Sequence, residues 1–169
     1  MKNGTPASCP GCAATGRRVD DSTPGALLRP NAKARLTGGG YRFCRTESCD
    51  VVYFDEGQEL TFGTADLEVT VFQKSSDPER PVCYCFEHTV QSIYDEVGAR
   101  GASDVPEDIG EKCRAGLDDC EHNNPQGSCC LGNVRRVVKE ALRARGDVGK
   151  VHGASRGCCS GSGESQHGS

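Results

Sequence analysis

The sequence predicts an α+β protein: a small antiparallel β lobe stapled through cysteines over residues 9–74, then a three-helix lobe over residues 82–145. Three observations predict it. A short apolar run over residues 51–54 and two alternating segments between residues 58 and 72 read as strands. Beyond Pro81 the period becomes helical. Twelve cysteines among 169 residues fall into groups. The last segment, 146–169, is Gly, Ser and charge with almost no apolar content, so disorder is expected there.

The bulk numbers explain the need for staples. With mean hydropathy −0.56, 22 Gly, 8 Pro and no Trp, the chain cannot build a large core. Small domains of this kind rely on metals or disulfides. The segment Met1 to Ser8 has no apolar stretch behind Lys2, so it does not read as a secretion signal. No window approaches the length of a membrane span. The expected location is cytoplasmic, where thiols stay reduced and clustered cysteines favour metal over disulfides. The formal charge of −4 argues against a nucleic-acid partner. Arg135, Arg136, Lys139, Arg143 and Arg145 read as a solvated helix face.

Element by element, residues 1–8 look frayed. Thr23 can cap a short helix or turn over 24–29, with Pro24 in its first position. Three strands are expected: Asp50–Phe54, Gln58–Phe62, and Asp66–Phe72, with Leu67, Val69 and Val71 on one face. Asp55-Glu56-Gly57 would turn the first into the second. Residues 75–81 form a polar linker with Pro78 and Pro81, and the lobe boundary is placed there.

Val90, Ile93, Tyr94 and Val97 share one helical face, and Gly98 and Gly101 end that helix. Ser103 or Asp104 can cap a second helix, with Pro106, Glu107 and Asp108 in its first turn. Val105, Ile109, Cys113 and Leu117 follow at fours. A third helix opens near Leu131 and runs to about Arg145, with a basic last turn that suits the helix dipole.

The cysteines divide into sets with different chemistry. Cys9-x2-Cys12 and Cys44-x4-Cys49 supply four soft ligands from two turns, as a structural tetrahedral zinc site requires. Asp50 could replace one ligand or sit beside the site, and a rubredoxin-like iron would use the same four sulfurs. Cys83-x-Cys85 comes next, and Cys120 and Cys129-Cys130 follow. A close pair and a looser pair of thiolates can hold an iron–sulfur cluster. Cys85 precedes the first helix, and Cys129 and Cys130 precede the third. Unpaired N–H groups there lower thiol pKa and favour an anionic cluster. Cys113 falls on an apolar stripe and reads as a buried structural thiol.

The Cys-x-Cys before a helix, with a second pair before another, resembles the bacterioferritin-associated ferredoxin type of domain. The longer string Val82–Phe86 with Asn124-Pro125-x-Gly127-x-Cys129-Cys130-Leu131-Gly132-Asn133-Val134 resembles the iron–sulfur copper metallochaperones of the CopZ type. The Cys9-Pro10-x-Cys12 and Cys44-x4-Cys49-Asp50-Val51-Val52-Tyr53-Phe54 blocks resemble that family's zinc-binding portion. The resemblance spans roughly residues 9–142. It implies a [2Fe-2S] cluster on Cys83, Cys85, Cys120 and one of Cys129 and Cys130, with Cys130 chosen, and Zn2+ on Cys9, Cys12, Cys44 and Cys49. It also implies a metal-handling protein that couples the cluster to binding or reduction of a soft metal, copper first, with a metal transporter or metalloregulator and an electron donor as partners. The alternatives are a ferredoxin-like one-electron carrier without cargo, a docking module, and a mercury or arsenic resistance accessory.

One departure matters. Full-length relatives of the type can carry a copper-binding domain with Met-x-Cys-x-x-Cys. This chain has no such motif, and its one Met is Met1. The tail instead holds Cys158-Cys159, a vicinal pair suited to Cu(I) or Hg(II), with His152 and His167 nearby in sequence. A tail without function is the competing reading. His88 and His122 lie close to cluster-type cysteines in sequence and read as surface or capping residues. No phosphate loop, His-Glu-x-x-His or serine-nucleophile motif is present.

Overall fold

In a computed structural model of the chain, residues 7–57 and 59–146 are described. The first part is a four-stranded antiparallel sheet in chain order: β1 Arg17–Val19, β2 Tyr41–Phe43, β3 Val51–Asp55 and β4 Thr61–Gly63. Val19 faces Tyr41, Phe43 faces Tyr53, and Phe54 faces Thr61. Successive side chains of a strand point to opposite faces. On β3 both faces are covered, so Val52, Tyr53 and Phe54 are all buried. Tyr53 joins Tyr41, Phe43, Phe62 and Leu67 in one core. Phe54 points the other way, into a cluster with Cys9, Cys44 and Cys49. Gly16 lies against the Phe54 ring, where a Cβ would come within 2.4 Å.

Two short helices, α1 Ser22–Leu27 and α2 Pro30–Lys33, connect β1 to β2. Pro30 occupies the first position of α2, where a missing N–H costs nothing.

The expected third strand over Asp66–Phe72 does not form. The chain makes a 3-10 turn at Thr64–Asp66, an isolated bridge between Leu67 and Leu28, and a second 3-10 turn at Phe72–Lys74. Leu67 and Val71 are buried as the alternation required. The extended segment covers the core and is held by scattered bonds rather than a ladder, among them Glu68 N–H to Leu27 C=O at 2.9 Å, Arg29 N–H to Asp66 C=O at 2.8 Å and Tyr84 Oη to Thr70 C=O at 2.7 Å. β1 and β2 were not expected. Arg17 and Arg18 are exposed and give β1 no apolar alternation. β4 begins at Thr61, later than the expected start at residue 58, which lies outside the described residues.

The second part opens with a hairpin, β5 Pro81–Cys83 and β6 His88–Thr89. Then come α3 Val90–Arg100, α4 Val105–Arg114, one-turn α5 Cys120–Asn123 and α6 Leu131–Arg145. Thr89 caps α3 by accepting from Ser92 N–H at 3.1 Å, and Ser92 Oγ in turn accepts from Thr89 N–H. Gly101, at φ 74°, ends α3. Ile93, Val97, Ile109, Val134, Val137 and Val138 meet in one core. Leu117 does not join them: α4 ends at Arg114, Gly116 turns the chain at φ 71°, and Leu117 is 65% exposed.

The two parts are tied together. Tyr53 Oη donates to Pro125 C=O at 2.6 Å, Gln73 Nε2 to Gln126 Oε1 at 2.7 Å, and Ser22 Oγ to Glu121 Oε1 at 2.7 Å. Among the described residues, no helix is long and apolar enough to cross a membrane.

Candidate metal centres

Cys9 and Cys12 lie on a turn before β1, closed by Ala13 N–H to Cys9 C=O at 2.8 Å. Cys44 follows β2 directly, and its N–H bonds Val52 C=O at 2.9 Å. Cys49 ends the next turn, with its N–H on Thr46 C=O at 3.2 Å. The four sulfurs all lie within 4.8 Å of one another, the one such group of three or more metal-ligating side chains among the described residues. Gly11 is needed here, because a Cβ on it would stand 2.9 Å from Cys49 Sγ.

The electrostatics of this set call for a cation. The Thr46 hydroxyl, 3.3 Å from Cys12 Sγ, helps hold the Cys12 thiol down to about 6. Burial pushes Cys9 up to about 12 and raises Cys49 as well. One thiol is ready to ionise, and others are held protonated until a positive ion neutralises them. Four sulfurs at this spacing, with no carboxylate among them, fit closed tetrahedral zinc. Lys74 Nζ braces the turn from outside, donating to Thr46 C=O at 2.8 Å and Cys49 C=O at 2.7 Å. Sequence reasoning missed this lysine, since no motif links a residue twenty-five positions downstream to the knuckle.

The second set is brought together from four places. Cys83 ends β5, Cys85 lies in the hairpin turn, Cys120 opens α5, and Cys129-Cys130 immediately precedes α6. Cys85 Sγ and Cys120 Sγ are 3.8 Å apart. Cys129 and Cys130 raise the Cys120 thiol, and Cys130 raises that of Cys83. Through these effects and the Cys85–Cys120 contact, Cys83, Cys130, Cys120 and Cys85 are linked electrostatically.

Donors aim at these sulfurs. Asp119 N–H reaches Cys85 Sγ at 3.3 Å and Asn123 Nδ2 reaches it at 3.7 Å. Leu131 N–H, at the start of α6, reaches Cys129 Sγ at 3.4 Å. Cys120, followed by these donors, holds Cys85 down to about 7. Cys120 and Cys83 hold Cys130 down to about 4, while Cys120 and Cys83 themselves are raised. The donor set therefore fits an anionic, sulfur-bound group.

The remaining candidates fall elsewhere. Cys113 is buried on α4 in the helical core. Asp50 accepts from Thr64 Oγ1 at 2.6 Å, which ties it to the end of the sheet. His122 pairs with Asp119 at 2.7 Å, which raises its pKa. His88 stands opposite Cys83 in the hairpin, with Nε2 3.8 Å from Asp108 Oδ2. Cys158, Cys159, His152, His167 and the tail from residue 147 lie outside the described residues.

Residues 6–68 match the zinc-binding-domain family of CopZ proteins. The chain is 33% identical over 130 residues to the copper chaperone CopZ of Archaeoglobus fulgidus, covering 76% of this chain and 60% of that protein. It therefore spans about three fifths of the length of that curated relative. The crystal structure of the Archaeoglobus fulgidus CopZ N-terminal domain superposes with a TM-score of 0.65 at 31% identity, over 77% of this chain and 96% of that one.

Proposed function

Because the chain belongs to the family of the CopZ N-terminal domain, we propose that it is a copper-handling metallochaperone that carries a [2Fe-2S] cluster on Cys83, Cys85, Cys120 and Cys130. The observation that supports this is Cys85 Sγ, 3.8 Å from Cys120 Sγ and met by N–H donors from Asp119 and Asn123. Cys130 is preferred to Cys129 because it is buried at 2% exposure and because Cys120 and Cys83 hold its thiol down to about 4. When bound, such a cluster supplies reversible one-electron chemistry at the protein surface.

The protein's own residues do the rest. Asp119 N–H and Asn123 stabilise negative charge on Cys85, the half-buried member of the set. Val82, Ile93 and Leu131 keep water from Cys83 and Cys130. Cys9, Cys12, Cys44 and Cys49 hold zinc and fix the sheet. In this reading residues 9–74 and 82–145 are the two functional parts, the setting is cytoplasmic, and the partners are an electron donor and a copper transporter or metalloregulator. Cu(II) is the substrate that is reduced, and Cys158 and Cys159 are the cargo thiols for Cu(I).

The test is Cu(II) added anaerobically to reconstituted, dithionite-reduced protein freed of excess reductant, with a Cu(I) chelator present. The proposal expects Cu(I) to appear in step with recovery of the oxidised visible spectrum, and Cys158→Ser/Cys159→Ser to weaken Cu(I) retention. Full retention by that variant would move the cargo site away from Cys158 and Cys159, a wild type that retains no Cu(I) would favour the cargo-free electron carrier, and a reduced protein inert to Cu(II) would overturn the reductase reading.

A further inference from the structure

A cleft of about 510 Å³ opens where the turn between Cys44 and Cys49, the segment before β5 and α6 meet, and no cysteine lines it. That volume falls within the range of small-molecule sites, roughly 300–1,000 Å³. Three cations line it: Lys74 and Arg80 from the segment before β5, and Arg136 from α6. Arg80 and Arg136 come from different elements, yet both guanidiniums stand over the ring of Phe72, 5.3 and 5.5 Å from its centroid. Phe72 is itself buried, so the ring is a fixed support.

The partners of these cations leave their charge in place. Arg80 Nη1 donates to Asp77 C=O at 2.8 Å, and Lys74 Nζ donates to the carbonyls of Thr46 and Cys49. Those acceptors are neutral. An aromatic face attracts a cation without cancelling it. Arg136 Nε has the Glu140 carboxylate at 4.0 Å, a half-exposed pair at the limit of contact, and such pairs are weak. Two like charges around one ring repel each other, and an anion between them relieves that cost. The planar fork of a guanidinium matches the oxygens of a phosphate. Three cations around one opening favour a dianion over a single carboxylate. Ser75 and Ser76 add hydroxyl groups to the wall. Glu47 and Glu140 line the same cleft, and as acceptors they suit hydroxyl groups on the organic part of a ligand.

We propose that this cleft binds a small, hydroxylated phosphate monoester, with Arg80 and Arg136 donating to the phosphate and Lys74 adding charge. The site uses neither cysteine set, so it stands apart from the copper and cluster reading. A ligand there touches α6 and also Lys74, which braces the zinc-type turn, and so joins the two parts of the chain.

The test is a two-dimensional NMR titration of the full, zinc-loaded chain at constant ionic strength, with inorganic phosphate, glycerol phosphate and acetate as probes. The proposal expects saturable shifts with both phosphates, glycerol phosphate binding the tighter, centred on residues 72–80 and on Arg136 and Glu140. This mapping on wild type needs no variant to fold. Arg80→Gln and Arg136→Gln should each weaken binding about tenfold, the loss of a charge-assisted hydrogen bond. Arg80→Lys and Arg136→Lys, which keep the charge and lose the fork, should recover part of it. Retained zinc and unchanged signals away from the cleft report that each variant is folded. Shifts no larger than those from chloride would overturn the proposal, as would shifts centred elsewhere or binding that both Gln variants leave intact. Acetate binding as tightly as the phosphates would also overturn it, and would make the cleft a docking point for acidic side chains of a protein.

Discussion

Tyr53 Oη donates a 2.6 Å hydrogen bond to the carbonyl of Pro125, joining the central strand of the sheet to the loop between Cys120 and Cys130. Tyr53 and Pro125 are both buried, so both partners of this bond are away from water. A second tie runs alongside it. Lys74 holds the carbonyls of Thr46 and Cys49 in the zinc-type turn, and its neighbour Gln73 donates to Gln126, which in turn donates to the Cys129 carbonyl. The two cysteine sets are therefore connected by hydrogen bonds through a few residues.

Tyr53→Phe removes the donor and leaves the Pro125 carbonyl without it. The expected cost is about 1–3 kcal/mol, the penalty for an unsatisfied buried acceptor. Urea unfolding would show it as a lower midpoint at unchanged slope. An unchanged midpoint would mean that the bond contributes nothing net.

The same residue gives the fold an alkaline limit. Burial raises the Tyr53 phenol above its ordinary value near 10. Its contribution is fully present below the unfolded-state pKa of about 10 and is lost as pH rises from there toward the folded-state value. Tyr84, also raised by burial, adds to the same limb. Wild-type stability should fall above about pH 10, and Tyr53→Phe should flatten part of that fall. Equal pH slopes in the two proteins would contradict this.

Lys74→Met keeps the stem and removes the ammonium from two carbonyls beside the knuckle. Hydrogen bonds to a charged group contribute roughly 1.5–3 kcal/mol when buried, and Lys74 is only half-buried, so about 1 kcal/mol is expected. Zinc should pass to a competing chelator several-fold faster than from wild type. The check is the release rate followed with a chromophoric chelator. An unchanged rate would confine Lys74 to the surface.

Stripping the metal should unfold the first part of the chain. Its smaller core is Phe54 packed with Cys9, Cys44 and Cys49, and without a cation those sulfurs are buried polar groups around one ring. Cys44→Ser should reproduce the effect. Circular dichroism should report loss of sheet signal on chelation, with the α3–α6 helical signal falling less.

Ile93→Ala tests the helical core. Ile93 is fully buried among residues of α4 and α6. Its truncation should cost about 2–5 kcal/mol, read from chemical unfolding. A loss well under 1 kcal/mol would mean that α3 does not pack as described.

The sequence carried the helical part well, because Val90, Ile93 and Val97 and the α6 stripe repeat with helical period and their caps stand at the ends. It carried the four cysteines of the first set as well, since their spacing is itself the signal. It failed where pairing is decided at long range. Leu67, Val69 and Val71 alternate like a strand, but Leu28 offers only a single bridge. β1 forms from Arg17-Arg18-Val19 because β2 supplies an edge, and nothing local announces it. Leu117 looked like the fourth residue of a stripe, yet the left-handed turn at Gly116 takes it out to solvent.

The most direct measurement is iron, acid-labile sulfide and zinc per chain on anaerobically purified and reconstituted wild-type protein, with its visible spectrum before and after reduction. The account predicts about two iron and two sulfide, about one zinc, and a red-brown spectrum that bleaches reversibly. A colourless protein holding zinc alone after reconstitution would contradict it.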